Sequence, residues 1–84
     1  MPAFYILYSN NLDGFYIGAT NDKITERLRR HNSKHKGFTG KTSDWEVVYF
    51  ENFDKKEDAF MREKEVKSWK NRKKIEQLVQ SKNV

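Results

Sequence analysis

The chain contains no cysteine and one proline among its 84 residues. The absence of cysteine excludes disulfides and thiolate metal sites, and it fits a reducing, cytoplasmic setting. Long apolar runs are also missing, because the longest, Ala3 to Tyr8, is too short to span a bilayer or to form the core of a signal peptide. With 36% hydrophobic residues the chain can build one modest core, which predicts a single domain over residues 1–84.

Acidic residues are scarce in two parts of a chain whose formal net charge is +5. Between positions 23 and 41 the only acid is Glu26, and between positions 67 and 74 there is none. Such zones attract a polyanion, with nucleic acid as the first choice and an acidic membrane surface as the second. Lysine-rich helices that only keep a small domain in solution are an equally supported alternative. The first zone contains seven basic residues: Lys23, Arg27, Arg29, Arg30, Lys34, Lys36 and Lys41.

Three segments have the composition of β-strands. Residues 4–8 and 15–18 are aromatic and branched, and the turn formers between them, which end in Asp13-Gly14, predict an antiparallel hairpin. Residues 45–53 alternate well enough to predict a third strand. The alternation places Trp45, Val47 and Tyr49 on one side of that strand, and Val48 and Phe50 on the other.

Three helices are predicted around these strands. The first runs to Asn32 from a cap at Thr20, Asn21 or Asp22, with Ile24 and Leu28 facing inward, and a polar loop over residues 33–44 follows it. The second begins at Asp54, with Glu57 completing a capping box, and ends near Asn71. The third covers about residues 72–80 and packs through Ile75, Leu78 and Val79. The predicted order is ββαβαα, an α+β domain in which helices flank a three-stranded antiparallel sheet.

Glu63 is the residue that first suggests a functional site. On a helical projection it lies close to Ala59, Phe60 and Val66, so its carboxylate emerges from the stripe that faces the sheet. An unpaired carboxylate there is costly. Three interpretations follow: a nearby cation neutralises it, a metal binds it, or it points outward at the edge of the stripe.

The tyrosines and histidines are ambiguous when each is considered alone. Tyr5 and Tyr16 are consistent with ordinary half-buried packing in a hairpin. His31 lies four residues after Arg27 on one helical face, and such a histidine is more often a surface residue than a ligand or a base. His35 lies in the polar loop without a partner at metal-ligand spacing.

The ordered set of these residues is more specific than any one of them. Ala3-Phe4-Tyr5, then Tyr16-Ile17-Gly18, then Arg27 with His31-Asn32, and then Glu63 followed by Lys67-x-Trp69 together resemble the GIY-YIG nuclease superfamily. The resemblance covers nearly the whole chain and is strongest to the small stand-alone bacterial YhbQ-like branch. Other members include incision domains of excision-repair nucleases, intron homing endonucleases and junction nucleases. Ala3 replaces the first glycine of the family name, and Ala19 stands where repair-type relatives often carry a lysine.

The resemblance implies a metal-dependent endonuclease that hydrolyses phosphodiester bonds, in DNA rather than RNA, with a role in repair or recombination. It implies that one of Tyr5 and Tyr16 acts as, or orients, the base that activates the attacking water, and that Arg27 binds the scissile phosphate. It further implies that Glu63 holds one Mg²⁺ or Mn²⁺ ion and that His31 supports the site.

The resemblance also assigns Gly18 to a close approach of backbone and substrate, and it places Thr39 and Lys41 in a loop that touches the substrate backbone. Arg29, Arg30, Lys34 and Lys36 complete the expected nucleic-acid surface. No membrane contact and no particular oligomeric state are predicted. The alternative is a non-catalytic module of the same fold that binds nucleic acid or recruits a partner protein supplying specificity.

Overall fold

The computed structural model of the protein describes residues 1–81. Its element order is the predicted ββαβαα, with a short 3-10 helix in the loop before the third strand. The elements are β1 (Ala3–Ser9), β2 (Gly14–Thr20), α1 (Ile24–His31), the 3-10 helix (Phe38–Lys41), β3 (Glu46–Asn52), α2 (Lys56–Trp69) and α3 (Arg72–Ser81).

The sheet is antiparallel throughout and has the strand order β2-β1-β3. Because β1 is central, side chains of both its faces are buried. Phe4 and Ile6 pack with Val66 and with residues of α3 on one face, whereas Tyr5 and Leu7 pack with Trp45 and with residues of α1 on the other. The predicted inward positions of α3, Ile75, Leu78 and Val79, contact the first of these clusters. The second cluster, which includes Tyr5, carries the candidate site.

A β-bulge changes the predicted pattern of β3. Ile6 pairs with Tyr49 and Leu7 pairs with Val47, so Val48 is an extra residue in the ladder. An extra residue reverses the alternation of faces beyond it. Tyr49 therefore packs against Phe4 with the first cluster, and the prediction that it shares a side with Trp45 and Val47 is wrong.

Phe50 is moved by the same bulge. It pairs with Tyr5, so it lies on the face opposite Val48 and not on the same face as predicted. The three strands themselves are confirmed.

The predicted N-caps of α1 and α2 are also wrong. The cap positions are Lys23 and Lys55, and neither side chain makes a capping hydrogen bond. The hydroxyl of Thr20 instead accepts a hydrogen bond from the backbone N–H of Asp22, which closes a turn before the helix. Asp54 lies outside α2. Among residues 1–81 no helix has the length and apolar content needed to cross a membrane.

Candidate active site

Three elements bring five of the predicted site residues together. Tyr5 comes from β1, Tyr16 and Gly18 from β2, and Arg27 and His31 from the helical face of α1 that covers this side of the sheet. The ladder pairs Tyr5 with Gly18 and Leu7 with Tyr16, and residues directly opposite in a ladder share a face. The centroid of the Tyr16 ring lies 4.7 Å from that of His31 and 6.5 Å from that of Tyr5.

Gly18 is required for this arrangement. A Cβ atom at Gly18 would lie 2.7 Å from Cζ and from the hydroxyl oxygen of Tyr5, and 3.0 Å from Cε2 of Tyr16. Any side chain would therefore displace the two phenols. The close approach expected at Gly18 exists, but the group that approaches its backbone in this structure is the phenol of Tyr5.

A chain of hydrogen bonds connects the buried Tyr5 to the loop before β3. The Tyr5 hydroxyl is 2.9 Å from His31 Nε2, and His31 Nδ1 is 2.9 Å from Thr39 Oγ1. Thr39 Oγ1 is 3.0 Å from Nε2 of the exposed His35, and the backbone N–H of Gly37 donates to His35 Nδ1 at 3.1 Å. We call this set the relay. His35, for which no role was predicted, is its outer end.

When both imidazoles are neutral, all hydrogen bonds of the relay are donated in one direction, from His35 towards Tyr5. Because His35 Nδ1 accepts from Gly37, His35 carries its proton on Nε2 and donates to Thr39. The Thr39 hydroxyl then donates to His31 Nδ1, so the His31 proton is on Nε2 and is donated to the oxygen of Tyr5. The Tyr5 O–H is consequently left to donate to a further acceptor.

Burial, charge and hydrogen bonding set the pKa values of His31 and Tyr5, the two buried titratable members of the relay. Burial, with the positive charges of Arg27 and His35, lowers the pKa of His31 to about 4. Burial raises the pKa of Tyr5, and the charges of Tyr16 and Glu63 add to this, although interaction with the Arg27 guanidinium acts in the opposite direction. Near neutral pH the site therefore holds a neutral His31 and a protonated Tyr5.

The lowered pKa of His31 predicts a pH-dependent stability. Folding favours the neutral imidazole, so this contribution is complete above the unfolded pKa of about 6.5 and is lost as the pH falls towards 4. The free energy of unfolding should decline over that interval. His31→Gln keeps a polar side chain but does not titrate, and its decline should be smaller than that of the wild type in chemical denaturation at several pH values. Identical pH profiles for the two proteins would contradict a buried neutral His31.

Arg27 differs from the other arginines of residues 1–81. Arg29, Arg30, Arg62 and Arg72 all form ion pairs with carboxylates, whereas Arg27 forms none. Its Nε atom is buried without a hydrogen-bond partner, and no other side-chain nitrogen or oxygen in the described part of the chain is in that state. A buried, unsatisfied N–H is costly, and an anion that binds there would remove the cost. Arg27 thus carries a charge that no carboxylate of residues 1–81 neutralises, and its guanidinium also interacts with the buried Tyr5.

An open pocket borders these groups. Its volume is about 410 Å³, which lies within the range of ligand pockets. The backbone of the loop and the face of α1 form its walls. Its lining includes Tyr16, Arg27, Arg30, His31, Phe38 and Thr39.

Glu63 lies at the edge of the buried stripe of α2. Ala59 and Val66 are fully buried and Phe60 is 40% exposed, whereas the Glu63 side chain is 19% exposed and its carboxylate is 2.9 Å from Nζ of Lys67. Of the three interpretations of Glu63, neutralisation by a cation and a position at the stripe's edge both apply. Its charge is close enough to raise the pKa of Tyr5.

Glu63 also fits a hard divalent cation. Residues 1–81 contain no group of three or more His, Cys, Asp or Glu side chains that could enclose a metal. Mg²⁺ does not need such a cage, because it is commonly held by one or two carboxylates with water and substrate phosphate oxygens completing the octahedron. A partly exposed carboxylate whose partner Lys67 is 53% exposed has the oxygen chemistry and the accessibility that this mode of binding requires.

The other predicted substrate contacts are distributed around the pocket. Lys34, Lys36 and Lys41 are exposed in the loop, and Arg29 and Arg30 are exposed on α1, where both face Glu26. Thr39 is different, because it is 3% exposed and its hydroxyl is engaged in the relay. In this structure the Thr39 hydroxyl contacts His31 and His35, and the residue also lines the pocket.

A partly exposed phenol and a guanidinium without an ion pair line one pocket. The carboxylate of Glu63 does not line it, although its charge raises the pKa of Tyr5. These are the groups with which a hydrolase acts on a phosphodiester. Residues 1–76 match the family model described as the GIY-YIG catalytic domain. The chain therefore belongs to the GIY-YIG family, whose members are nucleases that hydrolyse phosphodiester bonds and typically use a divalent metal. Neither a curated protein nor a solved structure matches the chain, so this assignment depends on the family model. The family model does not distinguish the YhbQ-like branch from other branches of the family.

Proposed function

We propose that this nuclease is a DNA endonuclease that uses Mg²⁺ or Mn²⁺ and that its site consists of Tyr5, Tyr16, Arg27, His31 and Glu63. The observation that carries the proposal is the buried, unsatisfied Nε of Arg27 beside a pocket that the half-buried Tyr16 and the neutral His31 also line. DNA is preferred to RNA because the sequence resembles repair, homing and junction nucleases.

Each side chain has a role consistent with its position. Arg27 binds the scissile phosphate and stabilises the negative charge that grows on it during attack. Tyr16 lines the pocket and orients the attacking water, whereas Tyr5 is 1% exposed and acts from behind it. His31 donates to the oxygen of Tyr5 and so directs the Tyr5 proton towards the pocket.

Glu63 is the residue that would hold the divalent cation. Such an ion, when bound, supplies a Lewis acid that polarises the phosphate and lowers the cost of its developing charge. Lys67, whose ammonium group forms an ion pair with the Glu63 carboxylate in this structure, would then turn to solvent.

The finer parts of the proposal follow from the resemblance and from composition. We place the protein in the YhbQ-like branch, as a single domain over residues 1–84 that acts in the cytoplasm in DNA repair or recombination. Phosphate contacts by Arg29, Arg30, Lys34, Lys36 and Lys41 carry little base information, so a partner protein is the proposed source of further specificity. Thr39 contributes to the site through the relay, in which its hydroxyl connects His35 to His31.

The proposal predicts cleavage of labelled DNA by the pure protein in Mg²⁺ or Mn²⁺ and none in EDTA. The panel should contain single-stranded, duplex, nicked, flap and junction DNA with matched RNA strands. Affinity should fall steeply as salt is raised, since binding releases counterions from the phosphates. Cleavage of RNA alone would overturn the assignment of DNA.

Two double variants with reversed charge test whether the loop beside the pocket binds the DNA, the second serving as the control for the first. Lys34→Glu combined with Lys36→Glu should weaken binding and reduce its dependence on salt. Lys55→Glu combined with Lys56→Glu makes the same change of charge at the exposed start of α2 and should have a smaller effect. Equal losses in the two variants would show that net charge, and not the loop beside the pocket, determines binding.

A further inference from the structure

Phe38 is exposed at the pocket without an evident structural reason. It belongs to the 3-10 helix and is 50% exposed. Of the exposed large apolar side chains in residues 1–81, it alone lines the pocket that also contains Tyr16, Arg27 and His31. A flat apolar ring beside a phosphate-binding arginine is suited to a ligand that combines a phosphate with an aromatic group.

The ring of Phe38 is held in place by its neighbours. Its centroid lies 6.0 Å from that of Trp45, which is 2% exposed and donates its indole N–H to the carbonyl of Thr39 at 2.8 Å. Gly40 closes the turn through its N–H to the carbonyl of Gly37 at 3.0 Å. Phe38 is therefore a preformed surface, and a ligand that stacks on it does not have to order the loop.

Gly40 provides a second indication that the loop is built to hold this shape. A Cβ atom at Gly40 would collide with the carbonyl of His35. The tight packing of these two backbones fixes the 3-10 helix against the same His35 that ends the relay. Phe38 and the outer half of the relay thus belong to one loop.

The charges around Phe38 favour a polyanion. The Nζ atom of Lys41 lies over the ring, 5.4 Å from its centroid and within the range of a cation–π contact. A base that stacks on this face therefore displaces the exposed lysine side chain. Arg30 lines the same pocket and its side chain is 58% exposed. A strand whose phosphate is held at Arg27 would have cations on its further phosphates and an aromatic ring beside one of its nucleotides.

We propose that Phe38 is a stacking platform for an unpaired base next to the scissile phosphate, so that the substrate of this site carries single-stranded DNA at the cut. This inference rests on the proposed function. Bases inside a duplex are covered on both faces by their neighbours, whereas an unpaired base offers a face to an aromatic ring regardless of its identity. The class of substrate is then a single strand or the single-stranded part of a flap or junction.

The test compares a single-stranded thymidine oligonucleotide with an abasic strand of equal length, both labelled and measured by fluorescence anisotropy in EDTA so that no cleavage occurs. Phe38→Ala should weaken binding of the thymidine strand about tenfold and leave binding of the abasic strand unchanged. Phe38→Leu preserves an apolar contact with Trp45 and should show most of the same loss, whereas Phe38→Tyr should restore affinity. Phe60→Ala, a change at a 40% exposed phenylalanine on α2 that does not line the pocket, is the matched control.

Two results would overturn the stacking platform. One is an equal loss on both strands, which would make Phe38 a support for the charged loop. The other is no loss on either strand. Failure of the proposed function is a separate result, because the wild type would then cleave no DNA in Mg²⁺ whatever the effect of Phe38.

Discussion

Replacement of Arg27 by glutamine should reduce the rate of DNA cleavage by about 10²–10³, the usual cost of removing one donor that stabilises a developing oxyanion. The reason lies in the state of the guanidinium, whose Nε is buried with no partner. The guanidinium lines the pocket without a carboxylate partner, and its positive charge opposes the negative charge that grows on the phosphate in the transition state. Single-turnover kinetics with saturating enzyme would measure the effect on the chemical step.

The same variant should fold as well as the wild type. Arg27 forms no ion pair among residues 1–81, so its removal leaves no carboxylate without a partner. The melting temperature of Arg27→Gln should change little, because the lost interaction with Tyr5 is offset by removal of the buried, unsatisfied Nε. Arg27→Lys keeps the charge but loses the planar fork of donors, and it should recover little of the rate.

Arg30→Gln provides the matched control for Arg27. Arg30 lines the same pocket, but it is exposed and lies 3.9 Å from Glu26. Its replacement should raise KM and leave kcat nearly unchanged, because an exposed phosphate contact is made equally before and during the reaction. Loss of folding in Arg27→Gln, or similar kinetics in the two variants, would contradict the assigned role of Arg27.

The elements and the site residues follow from the sequence to different degrees. Aromatic runs, the Asp13-Gly14 turn and helical periodicity predicted the element order, and the structure confirms it. The bulge at Val48 was not predictable, because alternation within β3 carries no information about the register with β1. The capping pattern at Asp54 failed because α2 begins after Lys55, whose side chain makes no capping hydrogen bond. A local cap is a weak determinant of a helix beside tertiary packing.

Spacing placed Arg27 and His31 on one helical face, and the structure brings that face to Tyr5. The relay could not be predicted in the same way. Thr39 contacts His31, and His35 contacts Thr39, because the loop folds through a 3-10 helix, and polar loops carry no periodic signal. The glycines at 37 and 40 marked a loop, but they did not specify its shape.

Glu63 carries the second large prediction. Glu63→Gln should abolish metal-dependent cleavage, because a neutral amide is a poorer ligand than a carboxylate for a hard divalent cation. The pair with Lys67 spans one helical turn and Lys67 is more than half exposed, so the loss of the pair should change the melting temperature by less than about 4 °C. A folded protein without activity is the expected result.

Lys67→Gln is the matched control, because it breaks the same ion pair and retains the carboxylate. Without its competing ammonium group, Glu63 should be occupied by Mg²⁺ at a lower concentration. This variant separates the metal site from the ion pair, since a purely structural pair would make the two substitutions equivalent.

The most direct test of a metal-dependent phosphodiester hydrolase is the rate of DNA cleavage as a function of Mg²⁺ concentration for the wild type, Glu63→Gln and Lys67→Gln, repeated in Mn²⁺. We predict that Lys67→Gln reaches the wild-type rate at a lower Mg²⁺ concentration and that Glu63→Gln, although folded and bound to DNA, does not cleave at any concentration of either metal. Cleavage by Glu63→Gln with the metal dependence of the wild type would contradict the account.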